Sequence, residues 1–387
     1  SNAYLTLEQL GAPELWFPLR LLVCETCWLV QTEDHAGRES LFTDDYAYFS
    51  SFSTSWLAHS QRYVTAMIER FGLGSKSLVA EVAANDGYLL QYVKQAGIPC
   101  YGVEPTAGTA TAARSKGIDI VEDFFGATLA QELVKADRQV DLAVANNVLA
   151  HVPDINDFVS GYRHLLKPDG VATFEFPHLL RMVQENQFDT AYHEHYSYLS
   201  LTTVQRVFEL QGLCVFDVER LPTHGGSLRV FAQRRDTGSR PVGNAVADLL
   251  SEEFDAGMTR SSFYGGFQDR AEKVKHSFLS CLLEAKQHGL KVGAYGAAAK
   301  GNTLINFAGV RPDLLPYIVD RNPAKQGRYM PGSRIPIVTE ERLHVDRPDL
   351  VVVLPWNLRD ELSKQLSYVT GWGARFAVAI PHLEIWG

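Results

Sequence analysis

From residue 77 onward, short apolar runs rich in β-branched residues alternate with helical stretches. The runs are Ser77 to Ala83, Cys100 to Val103, Ile118 to Val121, Val140 to Ala145 and Val171 to Phe176. Strands that alternate with helices are typical of a parallel sheet with helices on both faces. We therefore predict a doubly wound α/β domain.

The parallel pattern ends in a predicted hairpin. A helix from about Thr202 to Gln211 stops at Gly212, and strands at Leu213 to Val218 and Ser227 to Gln233 follow. Because the short Gly-containing loop between them cannot hold a crossover helix, these strands should pair antiparallel. Five parallel strands closed by a hairpin are common among methyltransferases, whereas dehydrogenase sheets usually continue in parallel.

A second α/β unit is predicted beyond a linker. The stretch Arg234 to Asn244 is rich in Gly, Pro, Ser and Arg and has no apolar period. A long helix from about Gly266 to His288 and another from about Ala299 follow. The predicted strands are Lys291 to Tyr295, Pro316 to Val319, Leu350 to Leu354 and Phe376 to Ile380.

Length and composition fit a globular enzyme of more than one domain. The 387 residues exceed one ordinary core, and we assign 1–60 to a small N-terminal lobe, 61–240 to the first Rossmann-like domain and 241–387 to the second. The formal charge of -9, without a Lys or Arg block, argues against nucleic acid as a partner. No apolar stretch approaches the ~20 residues of a membrane helix. We expect a cytoplasmic protein, either a monomer or a weak homodimer.

Cys24 and Cys27 are the one close pair among five cysteines. Their C-x-x-C spacing could form half of a tetrahedral zinc site, but such a site needs four ligands and no second pair is present. The alternative, which we favour, is a pair of partly buried thiols. We therefore predict no bound metal, with zinc as the weaker interpretation.

A turn of small and acidic residues follows the first predicted strand. The segment Glu81 to Gly87 lies where a nucleotide-type cofactor would meet the carboxyl end of a sheet. Glu104 ends the second strand, where a carboxylate could accept hydrogen bonds from ribose hydroxyls. Asp123 and Phe124 follow the third strand and offer a polar group and an aromatic face to an adenine, although core packing explains the Phe equally well.

The cofactor that best matches this turn is S-adenosylmethionine. Ala83 and Ala84 replace glycines of the G-x-G-x-x-G pattern, which brings the backbone close to a pyrophosphate, so NAD is disfavoured. S-adenosylmethionine has no phosphate, and its sulfonium prefers carboxylates such as Glu81 and Asp86. A local role for Asn85 or Asp86 as a helix cap is the alternative.

Acid–base groups are concentrated after the fifth predicted strand, in Asp189 to Tyr196. There His193 and His195 flank Glu194. Such a loop could hold a general base with a pKa near neutrality, oriented by a carboxylate and a tyrosine hydroxyl. A metal site and a solvated polar loop are the alternatives. His151, after the fourth strand, is expected at the same sheet edge unless it caps a helix.

Five segments together resemble the S-adenosylmethionine-dependent C-methyltransferases of nucleotide-linked deoxysugars, which include C-3 methyltransferases of antibiotic sugar pathways. They are Tyr46 to Ser53 with His59 behind it, Glu81 to Gly87, Tyr192 to His195, His224 to Arg229, and Gly293 to Asn302. The resemblance spans nearly the whole chain. It departs in the N-terminal lobe, where family members typically carry two Cys pairs that bind zinc.

The resemblance implies a methyl donor in the first domain and a 4-keto sugar nucleotide held between the two domains. His195 is then the expected base, with Glu194, Tyr192 and His151 as its catalytic partners, and an enolate attacks the sulfonium methyl. The expected donor-binding residues are Tyr48, Ser51, Glu81, Ala83, Asn85, Asp86, Gly87, Glu104, Asp123, Phe124 and Asn146. The expected substrate-binding residues are His224, Gly226, Arg229, Tyr295, Gly296, Ala297, Lys300, Gly301, Asn302, Asp320 and Lys325.

Two other interpretations stay open at this point. The Gly293 to Asn302 turn resembles a diphosphate-binding loop with Lys300 as a cation, but a tight turn without a ligand gives the same pattern. The whole chain could also be an NAD-dependent sugar-nucleotide oxidoreductase or epimerase, or a catalytically inactive ligand-binding relative. The missing G-x-G-x-x-G pattern argues against the first, and the Tyr192 to His195 cluster argues against the second.

Overall fold

The computed structural model describes residues 2–35, 37 and 49–387, so Tyr48 lies outside the described residues. The chain forms two compact units, and neither is one continuous stretch. The larger unit contains Leu22–Leu179 and His195–Arg260, and the smaller contains Ser1–Leu21, Leu180–Glu194 and Ser261–Gly387.

The larger unit is built on a seven-stranded sheet. The strands of this sheet are β3 Val79–Val82, β4 Cys100–Val103, β5 Asp119–Val121, β6 Val140–Asn146, β7 Leu166–Pro177, β9 Leu213–Leu221 and β10 Ser227–Arg234. A small three-stranded sheet contains β1 Leu21–Val23, β2 Val30–Thr32 and β8 Ser197–Tyr198. The large sheet has the order β5-β4-β3-β6-β7-β10-β9, and the small sheet has the order β1-β2-β8. Strands β3 to β7 are parallel, and β10 runs antiparallel to both β7 and β9. The predicted parallel sheet with a closing hairpin is confirmed.

Helices cover both faces of this sheet. They are α1 Thr54–Phe71, α2 Leu90–Gln95, α3 Ala107–Ser115, α4 Ala127–Lys135, α5 Ile155–Leu165, α6 Leu201–Leu210 and α7 Asn244–Asp255. Alternate residues of β6 face opposite sides, since Leu142 and Val144 pack in one apolar cluster and Ala143 and Ala145 in another. Strands buried on both faces explain the continuous apolar runs in the sequence.

The smaller unit holds a second doubly wound sheet. Its strands are β11 Val292–Tyr295, β12 Ile318–Val319, β13 Ile337–Val338, β14 Leu350–Val353, β15 Arg375–Val378 and β16 Glu384–Trp386. Its helices are α8 Ser261–Tyr264, α9 Phe267–Gln287, α10 Ala299–Ala308, α11 Glu341–Asp346 and α12 Arg359–Gln365, and a further short helix covers Leu179–Gln184. The sheet order is β13-β12-β11-β14-β15-β16, with β16 antiparallel at one edge. The sequence patterns missed β13 and β16, which have only two and three residues.

The compact units differ from the predicted boundaries at residues 60 and 240. The N-terminal residues join the smaller unit because Leu5 pairs with Tyr329 and Arg334 binds Glu14. The segment 180–194 joins it because Phe188 packs against Phe307 of α10. These contacts link residues far apart in the sequence, which local patterns do not report. Among the described residues, no helix has the length and apolar character needed to cross a bilayer.

A buried acid ties α7 to the sheet of the larger unit. The carboxylate of Glu253 accepts hydrogen bonds from the backbone N–H groups of Leu201 and Thr202, at 2.7 and 2.8 Å, and so caps α6. The Nε2 atom of His178 lies 2.8 Å from the same carboxylate. Although burial opposes it, the hydrogen bonds from His178 and Thr202 hold the pKa of Glu253 below its ordinary value.

We predict that Glu253→Gln lowers the free energy of unfolding by about 3 kcal/mol at pH 7, because His178 loses its charged partner. A depressed pKa contributes stability at neutral pH that is lost on acidification, so the deficit should narrow below a pH of about 4.3. Urea unfolding over a pH series measures this. The matched control Glu252→Gln removes a surface pair with Arg220 and should cost less than about 1 kcal/mol. Equal losses for the two variants would contradict the assignment.

Candidate active site

A cavity of about 180 Å³ opens at the carboxyl ends of β3, β4, β5 and β6 in the larger unit. The predicted residues Ala83, Asn85, Glu104, Asp123, Phe124, Asn146 and His151 line it. In a doubly wound sheet, ligands bind at this edge of the strands. The cavity is therefore the candidate cofactor site.

The turn after β3 is shaped by left-handed residues. Ala83 has a φ of 58° and Asn85 a φ of 50°. The backbone N–H of Asn85 donates to Glu104 Oε2 at 2.9 Å, and its side-chain oxygen accepts from the N–H of Ser50 at 2.9 Å. A left-handed alanine costs roughly 1–2 kcal/mol, so surrounding contacts must hold this turn in place.

Gly87 serves packing rather than a ligand. A Cβ at this position would lie 2.4 Å from the side chain of Ile118, and the φ of 74° also favours glycine. Gly87 is not among the residues that line the cavity, in contrast to the expected contact with the donor.

Ser51, Glu81 and Asp86 also lie outside the cavity wall. Lys116 holds two of them, because its ammonium donates to Ser51 Oγ at 2.9 Å and to the carbonyl of Asp86 at 2.6 Å. Glu81 is fully buried within β3. Burial raises the pKa of Glu81 well above its ordinary value, and the nearby acids Asp86 and Glu104 add to this against a hydrogen bond from Tyr88. Ser51, Glu81 and Asp86 therefore lie next to the turn after β3 without lining the cavity.

The described residues of the cavity wall include acids and no cations. Glu104 accepts from the N–H of Thr106 at 3.0 Å and from the Thr106 hydroxyl through Oε1, and its Oε2, which accepts from Asn85, keeps a lone pair for a further donor. Asp123, Asp154 and Asp157 also line the wall, and among the described residues no Lys or Arg does. An acidic wall attracts a sulfonium and repels a diphosphate.

Among the described residues, the side-chain amide of Asn146 has no protein partner. Asn146 ends β6 and is 6% exposed, and neither its Nδ2 nor its Oδ1 atom is hydrogen-bonded to a described residue. A buried unpaired polar group costs roughly 1–3 kcal/mol, so a ligand that bonds it gains that energy. The ribose and amino-acid groups of S-adenosylmethionine match this amide and the acidic wall. The residues present therefore fit that cofactor.

The wall also contains residues that were not predicted. Trp56 and Tyr88 line the cavity as neighbouring rings 5.9 Å apart, and Asn147 lines it beside Asn146. Trp56 is in the first turn of α1, and its position before His59 at a spacing of three was a usable helical signal. No sequence pattern separates Tyr88 from core aromatics.

A pair of imidazoles lies next to this cavity in the larger unit. His151 lines the cavity, and its ring centroid lies 4.5 Å from that of His195 at an interplanar angle of 77°. The carbonyl of His195 accepts a hydrogen bond from Thr32 at 2.8 Å, which anchors the residue to β2. The structure thus brings these two predicted catalytic residues together.

The other two predicted catalytic residues, Tyr192 and Glu194, belong to the smaller unit. Glu194 is 3% exposed, and its two carboxylate oxygens accept from Asn2 Nδ2 at 3.0 and 2.8 Å. His193 Nε2 lies 2.9 Å from the carbonyl of Pro18.

Asp189 begins the same segment and is fully buried. Its Oδ2 accepts a hydrogen bond from Trp356 Nε1 at 2.8 Å. Burial raises the pKa of Asp189 to about 6, against the charge of Lys300 and the hydrogen bond from Trp356. Burial in turn lowers the pKa of Lys300, against the charge of Asp189.

The loop after β11 is bonded internally where a diphosphate was expected. The N–H of Ala297 donates to Asp320 Oδ2 at 2.8 Å, and the carbonyl of Ala297 accepts from Lys325 at 2.8 Å. A Cβ on Gly296 would lie 2.5 Å from Pro355, and one on Gly301 would lie 2.9 Å from Leu354. Close packing therefore accounts for both glycines.

Four further predicted substrate residues also have internal partners. Arg229 is buried and binds Glu175 at 2.5 Å and Glu219 at 2.6 Å, which differs from the expected contact with a substrate. Gln365 donates to the hydroxyl of Tyr295. The side-chain oxygen of Asn302 accepts from Asn306. The carbonyl of Gly226 accepts from the N–H of His178.

The N-terminal cysteines do not complete a metal site. Cys24 is exposed, Cys27 is partly buried, and both are free thiols. Among the described residues, no group of three or more His, Cys, Asp or Glu side chains could hold a metal ion. Two thiols do not fit a tetrahedral zinc site, which needs four ligands.

Family models match three parts of the chain. A methyltransferase domain matches residues 56–218, a C-methyltransferase C-terminal domain matches residues 222–381, and a zinc-binding domain matches residues 1–42. The chain is 34% identical to the C-methyltransferase NovU of Streptomyces niveus over 372 residues, which are 96% of this chain and 88% of the relative.

Solved structures match part of the chain. Magnesium protoporphyrin IX methyltransferase of Synechocystis PCC 6803 with bound S-adenosylhomocysteine is 18% identical and covers 46% of this chain and 84% of its own, with a TM-score of 0.37. The PH0226 protein of Pyrococcus horikoshii OT3 is 13% identical and covers 49% of this chain and 95% of its own, with a TM-score of 0.41.

The sheet with its closing hairpin and the acidic cavity at its carboxyl edge define an S-adenosylmethionine-dependent methyltransferase. The match to NovU narrows the class. The chain belongs to the S-adenosylmethionine-dependent C-methyltransferase family.

We predict that Asn146→Ala weakens the binding of S-adenosylmethionine about tenfold, because the buried amide loses its bonds to the donor. Isothermal titration calorimetry measures the dissociation constant. The control Asn156→Ala alters an asparagine of α5 that bonds Gln211 at the surface, and its donor affinity should be unchanged. Equal affinity in the Asn146 variant would remove this residue from the donor site.

We predict that the free energy of unfolding of the wild type falls relative to that of Asp189→Asn as the pH rises from about 4 to about 6, because folding raises the pKa of Asp189 above that of the unfolded chain. The difference between the two proteins should change by about 3 kcal/mol over this range. Denaturant titration over this pH range measures it. Asp313→Asn, an exposed acid of the same unit, should keep the wild-type profile. Parallel profiles for wild type and Asp189→Asn would contradict the assignment.

Proposed function

We propose that the protein methylates a carbon beside the ketone of a nucleotide-linked 4-keto sugar, at C-3. The observation that carries this proposal is the imidazole pair, since His151 lines the donor cavity and its ring contacts that of His195. A histidine base suits a carbon acid next to a carbonyl. The family membership supports carbon as the acceptor.

In this proposal, His195 removes the proton from the carbon next to the ketone. His151 and Tyr192 donate hydrogen bonds to the oxygen on which negative charge develops, where such bonds contribute most. Glu194 balances the imidazolium that forms. S-adenosylmethionine, when bound, supplies an electrophilic methyl carbon whose bond to sulfur breaks as the new carbon–carbon bond forms. The proton on His195 then passes to water.

We assign the binding of the sugar nucleotide to His224 of the hairpin and Lys300 of α10. Lys300 lies over the ring of Trp356, with its Nζ 4.8 Å from the ring centroid, and near the side chain of Asn357. A cation at the first turn of a helix favours an anionic group such as a diphosphate. Lys300 supports this assignment more than the glycines of the loop do, because those glycines are explained by packing.

We predict that the wild-type protein adds one methyl group to a member of a panel of 4-keto sugar nucleotides, and that His195→Asn lowers this rate by about 10²–10⁴-fold because the base is lost. Mass spectrometry after incubation in heavy water follows both methyl transfer and deuterium uptake beside the ketone. Both should be lost together, with donor affinity unchanged.

The matched control is His193→Asn, which changes a histidine two residues away. Its Nε2 bonds a backbone carbonyl, so methyl transfer should stay near the wild-type rate. Turnover of His195→Asn at the wild-type rate would move the base to another residue. No methylation of any ketosugar nucleotide by the wild type would reject the proposed acceptor.

A further inference from the structure

Two left-handed residues of the larger unit face each other across the carboxyl edge of the sheet. Asn147, directly after β6, has a φ of 54°, and His224, in the turn between β9 and β10, has a φ of 55°. The Nδ2 atom of Asn147 lies 3.2 Å from Nε2 of His224. Non-glycine residues in this region cost free energy and persist where the surrounding structure holds them, often at functional sites.

The contact between Asn147 and His224 joins a hydrogen-bond donor to a possible acceptor, because an amide nitrogen donates and an unprotonated imidazole nitrogen accepts. The indole of Trp56 packs against the same imidazole, with ring centroids 5.3 Å apart. Trp56 and Asn147 both line the donor cavity. His224 therefore contacts two residues of the cavity wall, Asn147 and Trp56.

The Asn147 backbone is held from the other side by β7. Its N–H donates to the carbonyl of Glu175 at 2.8 Å. Trp56 stacks on His59 at 4.9 Å, and His59 bonds the side chain of Glu175 at 2.8 Å. The contacts thus form a closed ring that runs from Asn147 through His224, Trp56, His59 and Glu175 back to Asn147. They hold the chain where it leaves β6.

The loop that begins at Asn147 carries His151. Its far end is fixed by the carbonyl of Ala150, which accepts from the N–H of Tyr196 at 2.8 Å, and by the edge contact between the His151 and His195 rings. His151 N donates to the carbonyl of Val148 at 2.7 Å, so the loop is one tight turn. Asn147 and His151 thus lie at the two ends of one short turn.

We propose that the Asn147–His224 hydrogen bond is a positioning contact for methyl transfer, which holds the 147–151 loop so that the His151 imidazole meets that of His195. This inference rests on the proposed function where it treats His151 as a catalytic group. In this role Asn147 acts on His151 through the loop, and it is a positioning residue.

Glycine variants test the contact, because glycine accepts the left-handed backbone at both positions and removes only the side chain. We predict that Asn147→Gly and His224→Gly each lower kcat about tenfold at saturating sugar nucleotide, and that the double variant also loses about tenfold, since either change breaks the Asn147–His224 contact. A loss of substrate binding by His224 should appear in KM. Because Asn147 also lines the cavity, the dissociation constant of S-adenosylmethionine is measured for each variant, and kcat is compared at saturating donor. Steady-state kinetics and calorimetry measure these values.

A second measurement follows His151 without turnover. The imidazole NMR signals of His151, assigned by their loss in His151→Gln, should shift alike in the two glycine variants. The matched control Asp137→Gly removes an exposed left-handed residue of the same unit and should leave kcat and the His151 signals unchanged. A hundredfold loss in the double variant, or unchanged His151 signals in both single variants, would overturn the proposal. If no ketosugar nucleotide is methylated, the proposed function fails, and the NMR signals alone decide the positioning contact.

Discussion

The geometry of the donor site depends on one buried carboxylate, that of Glu175 on β7. Taking a charge out of water costs several kcal/mol unless partners surround it, and here His59 of α1 and Arg229 of β10 supply them. Although burial opposes it, these partners hold the pKa of Glu175 below its ordinary value. The pairing fixes α1 against the sheet, and with it Trp56 in the cavity wall. The carbonyl of the same residue holds Asn147.

Sequence patterns predicted what is local and failed where distant residues meet. The strand from Cys100 to Val103 was predicted to the residue, since a strand buried on both faces needs a continuous apolar run. The partner of Arg229 was not predictable, because Glu175 lies 54 positions away and only the β7–β10 register brings the two together. The glycines at 296 and 301 were predicted to bind a diphosphate, and the structure shows them packed against Pro355 and Leu354. A glycine that admits a neighbouring side chain has the same sequence signature as one that admits a phosphate.

The charge of the cavity wall distinguishes a site for S-adenosylmethionine from a dinucleotide site better than the turn motif does. Ala83 and Asn85 reproduce the shape of a glycine-rich turn without its glycines, at the cost of left-handed backbone. The selection against a dinucleotide comes instead from the wall, where four acids stand and no described Lys or Arg does. A cationic donor gains from that field, and a neutral thioether product gains less, so the same acids that favour binding of the donor also favour release of the product.

Four of the six left-handed non-glycine residues described in the larger unit lie at this one edge. Ala83, Asn85, Asn147 and His224 all have positive φ, and three of them line the cavity. Each conformation costs free energy that the core must supply, and a core of this size can do so because alternate residues of each strand are buried on both faces. Strain placed on turns leaves the strands regular, so the edge can carry unusual geometry without disturbing the sheet. The turn that carries His151 therefore depends on the buried support centred on Glu175, whereas the turn after β3 is held by Glu104 and Ser50.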